Sequence, residues 1–250
     1  MPVTLRSSAQ IAQLRAAGRL VAETFDVLRP LIRPGVAASE LDAAAEAFIR
    51  SRGATPAYKG YRGFPATLCI SPNNVICHGI PSHYRLNDGD IVGIDMGVVL
   101  DGWYGDACIT VGVGTIADDA RRLLEVTEAA MWRGIAAARG GAHLGDVGEA
   151  IQRHVEAHGF SVVREYTGHG IGQKLHDEPT VLHYGRRGQG LRLRPGLVFT
   201  IEPMVNAGAA ATRLDAVDGW TVRTDDGSLS AQFEHTIVIT DGEPQVLTLP

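Results

Sequence analysis

The chain has little cysteine, and what it has builds no framework. Cys69, Cys77 and Cys108 are an odd number with no Cys-x-x-Cys pair. That excludes a disulfide scaffold and a thiolate cage for structural zinc, and fits reduced thiols. No apolar run reaches membrane-spanning length, and the opening MPVTLRSSAQ lacks a signal-peptide core, so a cytoplasmic location without membrane contact is expected. Basic clusters are missing too. Lys and Arg number 23 against 28 Asp and Glu, a net charge of −5, which points away from DNA as a partner. Several catalytic signatures are also absent. GHGIG lacks the GxGxxG spacing of a dinucleotide fold, HVEAH is not HExxH, and the serines of SLSAQ show no nucleophile elbow. Neither Cys69 nor Cys77 shows an activating base, so each reads as a small apolar lining residue.

What remains is a 250-residue chain, 45% hydrophobic and 20% charged, with ample material for a core. Apolar residues at helical spacing predict a helix from Ser7 or Ser8 to about Leu28, stopped by Pro30. A second helix is expected from Ser39, capped with Asp42 three residues on, to just before Gly53. Further helices are expected from about Asp118 to Ala138, and from Asp146, with Glu149 three residues on, to just before Gly159.

Between these helix pairs lies GIDMGVVLDGWYGD, residues 93–106. Asp101-Gly102 joins two strand-like runs, and a two-residue Asp-Gly loop is a strong hairpin signal because both turn positions want positive φ. Counting back from the turn pairs Leu100 with Trp103, Val98 with Gly105 and Gly97 with Asp106. Asp95 and Asp106 then share one face, a diagonal step apart. Asp101 is a turn residue. Aspartate inside strands is depleted, so the other two ask for another reason. Like charges that close need a cation between them. Gly97, opposite Asp106, is expected to leave space for that cation and a substrate.

The chain repeats itself. Gly35 and Gly53 recur as Gly141 and Gly159, and DGDIVGIDMGV resembles RPGLVFTIEPMV, which aligns Gly89 with Gly196 and Asp95 with Glu202. GDACITVGVG resembles FEHTIVITDG more loosely and aligns Asp106 with Glu234. Two copies at so long a period imply two α/β halves related by a pseudo-twofold axis, about residues 6–114 and 115–250. Four carboxylates would converge where they meet, an arrangement untenable without cations.

Four carboxylates with one or two histidines make an oxygen-rich site suited to Mn, Fe, Co or catalytic Zn. Two ions about 3.5–4 Å apart could hold a hydroxide and polarise a carbonyl, for which amide hydrolysis is the natural reaction. His169 lies between glycines in YTGHGIGQKLHDEP, His176 follows seven residues on, and His78 sits in CHGIP upstream of the hairpin. These three are candidate ligands or substrate contacts. His154 and His158 fall in the last turn of a helix and read as surface residues. His83, His143, His183 and His235 have no comparable context, and His235 should point away from Glu234.

CHGIP, GIDMGVVLDGWYGD, GHGIGQKLHDEP, VFTIEPM and SAQFEHT, in that order, resemble the type I methionine aminopeptidases over essentially the whole chain. The resemblance implies the α/β (α+β) pita-bread fold, two pseudo-twofold-related halves around a central antiparallel sheet, in a single catalytic domain spanning 1–250. It implies two divalent ions (Co, Mn, Fe or Zn) held by Asp95, Asp106, His169, Glu202 and Glu234. Asp106 and Glu234 would bridge both, Asp95 would bind one, and His169 with Glu202 the other. His78 and His176 would contact substrate and stabilise the tetrahedral intermediate, with Glu202 shuttling the proton. Hydroxide held by the ions would attack the first carbonyl of nascent polypeptide N-termini, removing initiator methionine where the second residue is small. Tyr61, Phe64, Cys69, Leu175 and Trp220 would line the methionine pocket. Several relatives have Phe at the Leu175 position and Glu where Asp177 stands, so the pocket's detailed shape should differ. A monovalent cation, Na or K, would lie near Asn73, Val75 and Ser230. A transient ribosome contact and a monomeric state complete the expectation. The rivals are a prolidase or Xaa-Pro aminopeptidase of the same fold, and a binding protein that kept the fold without the metal.

Overall fold

The computed structural model describes residues 3–250. Helices α1 (Ser8–Leu28) and α2 (Ala38–Ser51) lead into β1 (Thr55–Pro56), β2 (Leu68–Pro72) and β3 (Val75–Cys77), then the hairpin β4 (Ile91–Leu100) and β5 (Trp103–Gly112). The second half repeats the order. Helices α3 (Asp118–Ala137) and α4 (Leu144–Ala157) precede β6 (Ser161–Val162), β7 (Gly168–Gly170), β8 (Asp177–Val181) and β9 (Val198–Ile201). Short strands β10 (Met204–Asn206), β11 (Thr212–Leu214), β12 (Val222–Thr224) and β13 (Ser230–Gln232) follow, then β14 (Glu234–Val238) and β15 (Gln245–Val246).

The main sheet runs β1-β4-β5-β14-β9-β7-β8, with β2 also on β4 and β15 also on β14. Its ladders are antiparallel, and β5 meets β14 at the centre, so β4–β5 of one half face β14–β9 of the other. The repeat read from sequence is present in the backbone. Gly35 and Gly141 have φ of 89° and 88°, and Gly53 and Gly159 have 75° and 79°.

The hairpin register is the expected one. Leu100 pairs with Trp103, Val98 with Gly105 and Gly97 with Asp106, around a turn with φ of 50° at Asp101 and 79° at Gly102. Ile94 and Met96, fully buried, pack with Val21, Phe25, Leu41 and Ile49 beneath the first helix pair. Phe199, Ile201 and Ile237 pack with Leu123, Met131 and Ile151 beneath the second. Each such side chain stabilises the fold by about 1.5–3 kcal/mol on burial. A one-residue slip would turn Ile94 and Met96 away from the helices and Asp95 toward them, so apolar packing fixes where the acids point.

α1 starts at Ser8 behind the Ser7 cap as expected, whereas two later helix starts differ. α2 begins at Ala38, and Glu40 Oε2 accepts the Ala37 amide at 2.7 Å. α4 begins at Leu144, and Asp146 Oδ2 accepts the His143 amide, also at 2.7 Å. An acid in the first turn serves both helices, and an anion there also suits the helix dipole. Ser39 is not the cap. Asp42 instead accepts the amides of Thr67 and Leu68 at 3.0 and 2.8 Å, tying α2 to the start of β2.

Candidate metal centre

Alternation along four strands brings the acids together. Asp95 on β4, Asp106 on β5, Glu202 just past β9 and Glu234 on β14 line one cavity of about 170 Å³ with His169 on β7. Asp106 and Glu234 are each only 2% exposed. His169 comes close because its strand has no bulk beside it: a Cβ on Gly168 would lie 2.5 Å from Thr200 O, and one on Gly170 would lie 2.0 Å from Glu178 O. The flanking glycines thus let β7 press against its neighbours.

One nitrogen of the histidine is held free. Its Nδ1 lies 3.0 Å from Gly170 O, and a carbonyl can only accept, so the proton sits on Nδ1 and Nε2 keeps a free lone pair. That Nε2 is 3.7 Å from Asp106 Oδ2 and 3.6 Å from Glu202 Oε1. Both are beyond a good hydrogen bond and suit two ligands on one ion. Burial, with His176 adding to it, holds the ring neutral, down to about 3. Asp106, His169 and Glu234 each offer a donor atom within 4.8 Å of the others, and the buried Glu234 Oε1 has no hydrogen-bond partner. A buried polar atom without a partner costs about 1–3 kcal/mol. A divalent cation supplies what it lacks, and the residues fit one.

Electrostatics agree. Burial pushes Asp95 up to about 7 and Glu202 up to about 8, against hydrogen bonds that favour their anions. Asp106 and Glu234 are driven well above the ordinary carboxylate range, by burial first and then by each other's neighbours in the cluster. Without cations the centre cannot ionise fully near neutrality.

The residues expected from sequence to touch substrate line the same cavity: His78, His176, Tyr61, Phe64, Cys69, Leu175 and Trp220. His176 stands at the mouth, its Nδ1 2.8 Å from the Tyr61 hydroxyl. His78 has φ of 56° and packs edge-on against Tyr166 and Trp220. Burial raises the Cys69 and Cys77 thiols well above their ordinary value, which leaves them inert as nucleophiles. Asn73 and Ser230 meet, with the Asn73 carbonyl accepting the Ser230 amide at 2.9 Å, and Val75 lies on the adjoining β3. His154, in the last turn of α4, and His158, just past its end, meet with rings tilted at 57°, and neither lines the cavity. His235 points to the other face of β14, bonded to Thr248 Oγ1.

Several residues around the centre escaped the sequence reading. Thr200 Oγ1 accepts the His169 amide at 2.9 Å and lies 2.6 Å from Glu202 Oε1, so one hydroxyl positions both residues. It lies two residues before Glu202 on the same strand face, a signal that was available. His183 is buried, and its Nε2 accepts the Glu202 amide at 3.1 Å. Tyr58 places its hydroxyl 2.5 Å from Asp95 Oδ1 and also in contact with Asp106 Oδ1. The reason given for Gly97 needs correcting. A Cβ there would lie 2.8 Å from Tyr58 Cε1 and 2.9 Å from Ala57 Cβ, so the glycine makes room for the tyrosine ring, not for metal or substrate.

A family model described as metallopeptidase family M24 matches residues 12–241. The methionine aminopeptidase of Rickettsia prowazekii is 49% identical over 100% of this chain and 96% of that protein. That of Clostridium perfringens is 48% identical over 99% of each. The Rickettsia crystal structure superposes with a TM-score of 0.98, at 49% identity, over 99% of this chain and 100% of that one. The prolidase from Pyrococcus furiosus shares the fold, with a TM-score of 0.80 and 22% identity over 98% of this chain but 65% of that one. M24 enzymes use divalent metal, which is what the buried acids and the free His169 nitrogen ask for. With near-half identity running from end to end, the chain belongs to metallopeptidase family M24, among its methionine aminopeptidases.

Proposed function

We propose that the chain is a two-ion aminopeptidase that removes the initiator methionine from nascent polypeptides whose second residue is small. The carrying observation is the buried Glu234 oxygen without a partner, set among Asp106 and a His169 nitrogen held free of its proton, on the floor of an apolar pocket. Asp95, Asp106, His169, Glu202 and Glu234 would hold the two ions, which when bound polarise the scissile carbonyl and supply a nucleophile at neutral pH. Co, Mn, Fe and Zn all suit these donors. The resemblance adds a monovalent cation near Asn73, Val75 and Ser230.

The chain's own residues do the rest. Phe64, Cys69, Leu175 and Trp220 give the methionine side chain an apolar lodging beside the acids. A neighbouring cavity of about 190 Å³, closed by Cys77, Tyr166, Met204 and Gln232, is the place for the second residue and limits its size. His176 Nδ1 lies 2.8 Å from the Tyr61 hydroxyl, and when that hydroxyl donates, the His176 proton sits on Nε2 and can be given to the developing oxyanion. His78, on the opposite wall, is a second contact. Glu202, oriented by Thr200, is placed to take a proton and return it to the leaving amine. The proposed setting is a cytoplasmic monomer working as one catalytic domain, meeting the ribosome transiently. Among the described residues no helix is long and apolar enough to cross a membrane.

Purified protein should be assayed on Met-Ala-Ser and on an Xaa-Pro peptide, with and without Mn²⁺ or Co²⁺. Methionine release that a chelator abolishes is the expected result. Preference for the Xaa-Pro bond would move the chain to the prolidase reading, and no metal-dependent cleavage of either would leave a binding protein.

A further inference from the structure

Tyr58 is a polar group in the centre that the proposed reaction does not use. It sits at the end of the short edge segment that β1 pairs to β4, and the Ala57 amide donates to Gly97 O at 2.9 Å. Its ring is buried, fills the space that Gly97 leaves, and meets the edge of Phe64 at a centroid distance of 6.5 Å. A ring held on three sides cannot wander, so the position of its hydroxyl is built in. That hydroxyl lies 2.5 Å from Asp95 Oδ1 and also contacts Asp106 Oδ1. It therefore occupies the space between two carboxylates that would share an ion.

We propose that the Tyr58 hydroxyl is a resident donor for the Asp95–Asp106 end of the centre, which an ion bound there must displace, so that Tyr58 weakens that ion. The inference rests on the two-ion reading above. A phenol has one proton to donate, and its oxygen stands between Asp95 Oδ1 and Asp106 Oδ1, where an ion shared by those two oxygens would sit. At the other end the Thr200 hydroxyl bonds Glu202 Oε1 from the strand that carries both, while Glu234 Oε1 has no partner and His169 Nε2 keeps its lone pair free. Removing the phenol should therefore tighten the ion at Asp95 and leave the other unchanged.

Tyr58→Phe keeps the ring and removes only the donor. Mn²⁺ binding to chelator-stripped protein should be followed by calorimetry and by the paramagnetic resonance signature of a coupled pair. In Y58F one of the two sites should tighten by about three- to tenfold, the equivalent of one hydrogen bond, while the other stays within about twofold. Melting temperature gives the second readout: Y58F should melt lower than wild type without metal and level with it when Mn²⁺ is saturating. A purely structural role would lower both states equally and leave the affinities alone, which would overturn the proposal. Weaker Mn²⁺ binding in Y58F would also overturn it, since the phenol would then be helping to hold the ion. Wild-type protein that binds no Mn²⁺ would instead sink the two-ion reading itself.

Discussion

Stripping the divalent ions should make the protein's stability fall as pH rises above 7. In the metal-free centre Asp95 keeps its proton up to about 7 and Glu202 up to about 8, whereas unfolded carboxyls release theirs near 4. An acid whose folded value is raised favours the folded state at low pH, and that advantage is lost as pH climbs from the unfolded value through the folded one. Buried histidines have the opposite sign. His78, His169, His183 and His235 are lowered to about 3 or 4, so their contribution grows with pH and levels off once unfolded imidazole, near 6.5, has lost its proton. Above pH 7 the carboxyls decide the direction. Each proton held by the folded chain alone is worth about 1.4 kcal/mol per pH unit. Glu202 therefore removes about 1 kcal/mol between pH 7 and 8, and Asp95, Asp106 and Glu234 act with the same sign. A chain of this size loses about 2–4 °C per kcal/mol, so the melting temperature should drop by several degrees between pH 7 and 8.5. Thermal melts in chelator across that window test this, beside a series with saturating Mn²⁺, where the drop should vanish. A metal-free melting temperature that is constant or rises with pH would refute the picture of four acids held together only by cations.

Three substitutions probe the shell around the centre. Gly97→Val drives a side chain into Tyr58 and Ala57. It should cost about 1–3 kcal/mol in stability and most of the activity, and wild-type melting with wild-type turnover would contradict the packing described. His183→Ala leaves the Glu202 amide without its acceptor in a buried site. The expected cost is about 2–4 kcal/mol, with kcat reduced and partly recovered in His183→Gln; unchanged melting would show that the contact has no energetic weight. Arg6 Nη2 lies 3.4 Å from both Ile171 O and Asp177 Oδ2, bracketing the loop that carries Leu175 and His176. Arg6→Ala should raise KM for a methionyl peptide by about 3- to 10-fold, roughly 1 kcal/mol, more than it lowers kcat, with Arg6→Lys recovering part; a change in kcat alone would mean the loop is not what Arg6 holds.

The hairpin, its register and the doubled architecture were legible because each is written at short range or as a spacing. Asp101-Gly102 names its own turn, period two puts Asp95 and Asp106 on one face, and recurring glycines mark equivalent turns. What the sequence hides is contact between segments that no period links. Asp42 has the spacing of a capping residue, yet it serves amides 25 and 26 residues away. His183 looked contextless because its partner is a backbone amide on a strand 19 residues on. Arg6 finds Asp177 across 171 residues. Gly97 was correctly placed and wrongly explained, since the group it makes room for comes from a loop with no pattern of its own.

The repeat also explains why the two ends of the centre differ. Gly93 and Asp95 stand on β4 where Thr200 and Glu202 stand on the second half, each pair two residues apart. Ser71 pairs with Gly93 on β2, and the step beyond the Gly170–Phe199 pair sets His169 beside Thr200, so Ser71 is the counterpart of His169. In the second half a hydroxyl on the strand itself orients both glutamate and histidine. In the first half the equivalent position is a glycine, and a strand without a side chain there can orient nothing. The hydroxyl that reaches Asp95 comes from Tyr58 on the neighbouring edge segment. One strand pattern, used twice, thus yields a histidine-bearing end steadied from within its own sheet face and an all-carboxylate end steadied by a removable arm. An ion arriving at the first end gains a rigid ligand set, whereas one arriving at the second must first turn out a donor.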